Sequence, residues 1–247
     1  MTFITDPSLA RAFAPTGVLR ASINLGNPIL ANRDKASGEP VGVSIDLARA
    51  LGERLGLAVE LVVFEKAAQS VDAVRNAKAD IGFFAIDPAR SEGLSFTAPY
   101  VLIEGCYLVK ADAALSDNTE VDRAGLRVGV GTGSAYDLFL TRELQHATIE
   151  RSTHVPDVLT ALLEGRIDVA AGIRTMLDGW AVQHGGLRLL PGRFMVIQQA
   201  MGVPADRGPG AASALAAFVE EMKASGFVAA SLKRHGIVGG SVAPAAG

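Results

Sequence analysis

Cysteine and long apolar runs are both scarce in this sequence. A single cysteine, Cys106, cannot form a disulfide within the chain or supply a cysteine-rich metal site, and its apolar surroundings favour a buried, unreactive thiol. No window approaches the roughly 18 consecutive apolar residues that a membrane-spanning helix needs. The stretch Met1–Pro15 includes Asp6 and Arg11 and lacks the apolar segment of a signal peptide. Nothing in the sequence as given therefore directs the chain out of the cytoplasm.

Excess charge of either sign is also absent. The 23 basic and 26 acidic residues leave a net charge of −3, and no block of lysine and arginine is present. Nucleic acid and anionic membranes are therefore not expected as partners, because both require a basic surface. Apolar residues make up 49% of the 247 residues, which is enough for a sizeable core in one domain or in two lobes of about 100 residues each.

Strand and helix patterns alternate along the first half of the chain. A helix is expected to start near Ser44, which can cap it, to bury Leu47, Leu51 and Leu55 along one face, and to end at Gly56. The order strand, helix, strand, helix, strand is typical of a parallel sheet covered by helices. The other predicted elements are strands Val18–Leu25, Val59–Phe64 and Ile81–Ile86 and a helix at Val71–Ala77.

The same order returns in the second half. Two such α/β units, one after the other, predict two lobes. Gly226 and Gly236 are placed to cap the last two helices, and the small-residue tail Gly239–Gly247 is expected to be frayed. The predicted strands are Glu104–Lys110, Arg127–Val130, Thr148–Arg151, Asp168–Gly172, Leu187–Leu190 and Val196–Val203, and the predicted helices are Tyr136–Leu144, Val158–Glu164, Ala211–Ser225 and Phe227–Arg234.

Several short motifs occur in an order known from one family. Residues 85–90 read Ala-Ile-Asp-Pro-Ala-Arg, and residues 94–100 read Leu-Ser-Phe-Thr-Ala-Pro-Tyr. Gly-Val-Ser-Ile-Asp-Leu-Ala precedes them at 42–48, while Val-Gly-Val-Gly-Thr-Gly-Ser at 128–134 and Leu-Leu-Glu-Gly-Arg-Ile-Asp at 162–168 follow. In this order the motifs resemble the family 3 extracellular solute-binding proteins, the polar amino-acid binders of ABC transporters, over about residues 17–237.

The resemblance implies the two-lobed type II periplasmic-binding-protein fold, with two α/β lobes joined by a two-strand hinge. Lobe 1 would comprise residues 1–105 and 200–247, and lobe 2 residues 106–199, with the hinge near Glu104–Lys110 and Ile197–Ala200. Such proteins close around a small ligand in the cleft between their lobes. The implied partners are a small anionic solute and an ABC transporter permease, the implied state is a monomer, and the implied location is the periplasm.

Two groups are implied to bind the ligand's carboxylate. Arg90 matches the arginine that holds the α-carboxylate in this family, and a guanidinium can do so with two parallel hydrogen bonds. Thr132, Gly133 and Ser134 precede a helix and offer a second anion site. The alternatives are a surface role for Arg90 and simple helix capping by Ser134. The loop lacks the Gly-Lys-Ser/Thr of a nucleotide phosphate site, and no cofactor is expected.

Other positions depart from the family pattern. The aspartate that accepts the ligand's ammonium in amino-acid binders is replaced by Ile173, followed by Arg174, and a family hydroxyl residue is replaced by Ala85. An ammonium enclosed without a counter-charge is costly. The sequence therefore suggests a ligand that has a carboxylate but no obligatory α-ammonium. That reading holds unless another acidic residue takes the role; the candidates are Asp87, Glu65 and Glu104.

The walls of the ligand site are less clearly indicated. Asn27 stands where the family has an aromatic shelf and offers an amide, while Phe64 is either a wall residue or part of the core. Phe83 and Phe84 alternate along a strand, so one is expected in the core and the other could face the ligand. Either Gln198 or its neighbour Gln199 could donate to a ligand oxygen or to the hinge.

Two other functions are compatible with the same fold. Cyclohexadienyl and arogenate dehydratases would need one of the acidic residues just named as a general acid. A cytoplasmic ligand-sensing domain would fit the missing leader. No catalytic triad order is evident, and the four histidines, at 146, 154, 184 and 235, are expected to be solvated. The sequence therefore favours a binding protein without catalytic activity.

Overall fold

A computed structural model gives the fold of this protein and describes residues 6–247. The expectation about a signal peptide concerns Met1–Pro15, and residues 1–5 of that stretch lie outside the described range. The chain divides into two compact units: the residues up to Leu102 together with Gln198–Gly247 form the first, and Ile103–Ile197 form the second. Among the described helices, none is both long and apolar enough to cross a membrane.

The first unit has a mainly parallel sheet with helices against it. Strands β4, β1 and β5 are parallel neighbours, and β12 pairs antiparallel with β5 and with β6. Strands β7 and β12 contribute residues to both units. In chain order the elements that begin in the first half are α1 (Pro7–Phe13), β1 (Val18–Asn24), β2 (Asn32–Arg33), β3 (Pro40–Val41), α2 (Val43–Leu55), β4 (Ala58–Phe64), α3 (Ala67–Arg75), β5 (Ile81–Ala85), β6 (Leu94–Phe96) and β7 (Val101–Lys110).

The second unit repeats this plan. Strand β8 lies between β9 and β10, and all three are parallel, while β10 and β11 pair antiparallel with β7. The remaining elements are β8 (Arg127–Gly131), α4 (Ala135–Glu143), β9 (Thr148–Ser152), α5 (Val155–Leu163), β10 (Val169–Ile173), α6 (Arg174–His184), β11 (Leu187–Leu189) and β12 (Met195–Pro204), followed in the first unit by α7 (Gly208–Ala224), α8 (Phe227–Arg234) and β13 (Gly240–Val242).

Each unit has an arginine–aspartate pair that links two neighbouring strands. The arginine lies near the start of one strand, and the aspartate is the residue just before the other strand. Arg20 of β1 donates from its backbone N–H and from Nε to Asp80 Oδ2, both at 3.0 Å, and from Nη2 to Oδ1 at 2.8 Å. Arg127 of β8 makes the same contacts to Asp168, at 2.8, 3.0 and 2.9 Å. The Arg127 side chain lowers the pKa of Asp168. The two units therefore share a local design as well as a topology.

Helix α2 begins differently from the sequence-based expectation. Gly42 is the N-terminal cap with φ of 133°, and a Cβ there would lie 2.4 Å from the Leu30 carbonyl oxygen, so only glycine fits. The expected cap at Ser44 is wrong: Ser44 lies inside the helix, is buried, and its Oγ is 3.5 Å from the Tyr100 hydroxyl. The expected end at Gly56 is confirmed by its left-handed conformation.

Six elements were not expected from the sequence: the helices α1 and α6 and the short strands β2, β3, β6 and β13. Helix α1 is capped by Asp6, whose side chain accepts from the backbone N–H of Ser8, and helix α6 follows β10 directly. The tail was expected to be frayed, and this prediction is wrong. Strand β13 pairs with β7, and the buried Ala243 donates its N–H to the Tyr100 carbonyl at 3.1 Å. Backbone pairing fixes this tail despite its small side chains.

The core corrects one further expectation and confirms another. Phe83 and Phe84 are both buried in the core, the first edge-on to Tyr100 and the second edge-on to Phe96, where only one of them was expected. Cys106 is a free, buried thiol as expected, and burial raises its pKa to about 11.

Candidate functional site

The candidate site residues gather at the carboxyl ends of the parallel strands in each unit. In the first unit β1, β4 and β5 end next to one another, so the loops that follow them share one edge of the sheet. In the second unit β8 and β10 end side by side in the same way. Ligands bind to open α/β sheets at this edge.

Arg90 ends a single helical turn, Pro88–Arg90, that follows β5. The Asp87 side chain fixes the turn by accepting from the Ala89 N–H at 2.9 Å. Arg90 is only 5% exposed, so the alternative of a surface arginine is wrong. One of its N–H groups donates to the Ala85 carbonyl at 3.4 Å. Burial lowers the pKa of Arg90, and the charge of Asp87 opposes that shift.

The other candidates of the first unit have mainly structural contacts. Asn27 is nearly buried, and its side-chain oxygen accepts from the Ile29 N–H at 3.2 Å. Phe64 is half-buried against the core cluster that includes Phe84. The side chain of Gln198 is exposed, and its carbonyl accepts from the Ile86 N–H at 2.8 Å. None of these contacts excludes an approach by a ligand to the remaining polar atoms.

In the second unit, the hydrogen-bond donors of the loop between β8 and α4 bind acceptors of the protein itself. The hydroxyl and the N–H of Thr132 both donate to the Ser152 carbonyl, at 3.0 and 2.9 Å. The N–H of Gly133 donates to Asp137 at 2.8 Å. Ser134 caps α4, since its Oγ accepts from the Asp137 N–H at 3.1 Å. The alternative reading of Ser134 as a helix cap is therefore confirmed.

Asp137 is the residue that the sequence analysis missed. It is 4% exposed, and besides Gly133 its carboxylate accepts from Arg151 Nε at 2.9 Å and from the Thr141 hydroxyl at 3.3 Å. A carboxylate at this place holds the loop that was predicted to bind a carboxylate. The signal was available, because serine followed three residues later by an acidic residue is close to a capping box.

Arg174 and Glu104 lie on the opposite face of the second sheet from Ile173. Ile173 faces Gly105 across the strand pair, so the side chain of Glu104, the neighbour of Gly105, points to the other face. Arg174 Nε is 2.5 Å from Glu104, and its Nη2 donates to the Gly192 carbonyl at 2.5 Å. Ile173 itself is buried and caps α6 without a side-chain hydrogen bond.

All three acidic candidates for the missing aspartate already have partners. Arg193 binds the second oxygen of Glu104 at 2.8 Å, and the hydrogen bonds from Arg193 and then Arg174 lower the pKa of Glu104. Glu65 is 3.4 Å from Arg33. Asp87 caps the turn that carries Arg90. An ammonium would have to compete with these contacts.

The histidines were expected to be solvated, and His235 is an exception. Its ring is half-buried, and Nε2 lies 2.9 Å from Asp46. Asp46 also accepts from the Ser231 hydroxyl at 2.5 Å and pairs with Arg234, which fastens α8 to α2. Within residues 6–247 no three His, Cys, Asp or Glu side chains come together as they would around a metal ion.

Comparisons with known proteins agree with the fold. Two relatives are the amino-acid-binding protein AabA of Dichelobacter nodosus, 26% identical over 55% of this chain and 54% of that one, and the ABC transporter arginine-binding protein 1 of Escherichia coli, 28% identical over 59% of each. The matched part thus spans little more than half the length of these relatives.

Solved structures match over most of the chain. The amino acid ABC transporter substrate-binding protein AbpA of Streptococcus pneumoniae, bound to L-arginine, is 20% identical with a TM-score of 0.74 and covers 91% of this chain and 97% of its own. The ancestral amino-acid-binding protein AncCDT-1, described as a precursor of cyclohexadienyl dehydratase, is 20% identical with a TM-score of 0.72, over 91% and 98%.

These structures confirm the two-lobed α/β fold class predicted from the sequence. The family model of the bacterial extracellular solute-binding proteins, family 3, matches residues 26–236, which include every candidate ligand residue. The chain belongs to this family of bacterial extracellular solute-binding proteins.

Proposed function

We propose that this protein binds a small carboxylate-bearing solute, an amino acid or a related organic acid, as the substrate-binding component of an ABC transporter. Arg90 carries the proposal. It is a buried guanidinium at the carboxyl edge of a parallel sheet, held by a short turn, and it can bind a carboxylate through two parallel hydrogen bonds.

Thr132, Gly133 and Ser134 of the second unit are also proposed to bind a carboxylate. A ligand there takes the place of Ser152 or Asp137 as the acceptor for the Thr132 and Gly133 donors. Ala85, Asp87, Asn27, Phe64 and Gln198 complete the proposed contacts at the edge of the first sheet, with Ile173 at the edge of the second. Arg174, which follows Ile173, would have to leave Glu104 to contact the same ligand.

The proposed solute does not need an ammonium group. Ile173 supplies no charge at the position where the family has its aspartate, and Glu104 has both carboxylate oxygens bound to arginines. An ammonium enclosed at Ile173 would lose its water without gaining a counter-charge. Within the proposed class of ligands, organic acids are therefore favoured over amino acids.

A dehydratase is the second candidate, because AncCDT-1 is described as a precursor of such an enzyme. A general acid must hold its proton near neutral pH, which requires a raised pKa. The pKa of Glu104 is lowered instead, by Arg193 and Arg174. We propose that the protein has no such activity, and turnover of prephenate or arogenate by the purified protein would contradict this.

The remaining parts of the proposal follow from the family. Its members are described as extracellular, so we propose a periplasmic, monomeric protein that delivers its solute to an ABC transporter permease. A cytoplasmic sensing domain is the alternative. A neighbouring permease gene would support transport, and a neighbouring regulator or enzyme gene would support sensing.

A thermal-shift screen of small acids and amino acids tests the proposal. A ligand that binds only the folded state raises stability by RT ln(1 + [L]/Kd). We expect at least one carboxylate to raise the melting temperature of the wild-type protein and Arg90→Lys to lose most of the shift, because lysine lacks the two-pronged geometry.

Arg11→Gln is the control for this screen, since Arg11 is an exposed residue on α1. It should retain the full shift. If no carboxylate in the panel raised the melting temperature of the wild-type protein, the proposal would be overturned. An undiminished shift in Arg90→Lys would remove Arg90 from the site.

A further inference from the structure

The second unit carries an apolar wall at the same edge as the Thr132–Ser134 loop. We use this name for Phe194, Met195, Phe139 and Ile173. The Phe194 ring stacks on Tyr107 with centroids 4.2 Å apart, and Phe139 of α4 lies 6.0 Å from Phe194. Phe194, Met195 and Phe139 are only half-buried within the protein, so part of their apolar surface is left for another molecule to cover.

Gly105 of β7 has no side chain, and this leaves room for the apolar wall. A Cβ at Gly105 would lie 2.6 Å from Met195 Cγ and 3.2 Å from Phe194 Cζ. Real Cβ atoms do not approach this closely, so glycine lets both side chains lie flat on the strand. Gly105 pairs with Ile173 across the sheet, which places the isoleucine beside Phe194 and Met195.

The wall and the loop lie at the same edge of the sheet, and the wall lies on the face of the sheet to which Ile173 points. Strands β8 and β10 are parallel neighbours, so the end of β10 at Ile173 is next to the end of β8 at Gly131. Helix α4, which starts after Ser134, supplies Phe139 to the wall. The charged cluster around Glu104 is on the opposite face. The wall itself, as far as the described residues go, contains no acidic group.

We infer that the solute is a monocarboxylic acid with an apolar body that lies against the apolar wall and has no ammonium on its α-carbon. The inference rests on the proposed function and narrows it to one class of ligand. The wall would cover the body of the acid, and an ammonium there would have to leave water for an apolar surface. Removal of half-exposed apolar area from water on both partners favours such an acid.

Two matched pairs of ligands test the inference by titration calorimetry. 3-Phenylpropanoate and L-phenylalanine differ only in the α-ammonium, and so do 4-methylpentanoate and L-leucine. We expect the acid of at least one pair to bind the wild-type protein about tenfold or more tightly than its amino acid. Equal or tighter binding of the amino acid in both pairs would overturn the inference while the proposed function stood.

Variants of Ile173 provide the reciprocal test. Ile173 is the N-terminal cap of α6, a position that favours Asp and Asn alike, so both should fold. Ile173→Asp supplies a counter-charge and should raise the affinity for the amino acids relative to the acids. Ile173→Asn supplies the cap without the charge and should leave the preference for the acids in place.

The failures can be told apart. If Ile173→Asp, shown to be folded by circular dichroism, left the preference unchanged, the ligand would not reach the wall and the inference would be wrong. If none of the four compounds bound while another carboxylate shifted the melting temperature in an Arg90-dependent way, the ligand class would be wrong and the function right. If no carboxylate bound at all, both the inference and the proposed function would be wrong.

Discussion

At the scale of single residues, burial decides which groups react and which only hold the structure. Cys106 lies in the apolar interior of the second unit, its Sγ is 3.4 Å from the Gly192 carbonyl, and burial raises its pKa to about 11. A thiolate is the reactive form, so almost none is present near neutral pH. The Cys106 thiol is therefore unreactive because it is buried, as the apolar sequence around it predicted.

Cys106 should therefore be protected in the folded protein. We expect an aromatic disulfide reagent near neutral pH to modify it slowly in the native state and rapidly after unfolding in denaturant, as followed by the colour of the released thiolate. Equal rates in both states would mean that the thiol is exposed by frequent opening of the second unit.

Asp137 should stabilise the second unit more than its place on α4 suggests. Asp137→Ala removes the carboxylate that accepts from the Gly133 N–H and from Arg151 Nε, so we expect the free energy of unfolding in urea to fall by about 2–3 kcal/mol. Asp157→Ala is the matched control, because Asp157 is exposed in the first turn of α5, and its cost should stay below about 1 kcal/mol. Similar losses in both variants would contradict the role given to Asp137.

At the scale of elements, caps and turns decide where the regular structure begins. Asp117 and Glu120 form a capping box around the short turn Asn118–Glu120. The N–H and hydroxyl of Ser116 and the N–H of Asp117 donate to Glu120 and lower its pKa to about 2 from an ordinary value of 4.5. Each of these donors binds the ionised carboxylate better than the protonated one.

The capping box should make the stability of the protein depend on pH. Because the folded state lowers the pKa of Glu120, its contribution is fully present above the ordinary value of 4.5 and is lost as the pH falls from there towards about 2. Urea unfolding across this range should show a shallower pH dependence for Glu120→Gln than for the wild type. The same slope in both proteins would contradict the assigned pKa.

Apolar periodicity allowed most of the elements to be predicted, while the residues that set their ends were harder to read. The longer strands of both units were predicted because their apolar runs are bounded by turn residues, whereas the short strands β2, β3, β6 and β13 were not. Helix α6 was missed because Leu177 is its only fully buried residue and its pattern is weak. Asp137 was missed because a buried acid next to a helix start looks, in sequence alone, like an ordinary solvated residue.

The ligand residues were predicted unevenly for a similar reason. Arg90 and the Thr132–Ser134 loop stand in motifs whose spacing is visible in the sequence. Phe194 and Met195 belong to no recognisable sequence motif. They pack against Gly105, which is distant in the chain and adjacent to them in the fold. Contacts of this kind depend on strand pairing, which composition and periodicity do not give.

At the scale of the whole molecule, the tail closes the first unit. Strand β13 pairs with β7, and Lys223 of α7 donates to the Pro244 carbonyl at 2.8 Å. Removal of residues 240–247 exposes the underlying core and breaks this pairing. We expect it to lower the free energy of unfolding by about 2 kcal/mol.

Removal of residues 245–247 alone is the control for the tail, because these residues are exposed. It should leave the urea midpoint nearly unchanged. If the protein without residues 240–247 unfolded at the same urea concentration as the full-length protein, the tail would be frayed in solution after all.

The central claim concerns the whole molecule: one protein binds one small carboxylate through Arg90. Titration calorimetry of the purified protein with the carboxylate that gives the largest thermal shift tests it most directly. The account predicts a saturable isotherm with about one ligand per chain, weakened at least tenfold in Arg90→Lys. A wild-type protein that gives no saturable heat with any carboxylate, or an isotherm that Arg90→Lys leaves unchanged, would contradict it.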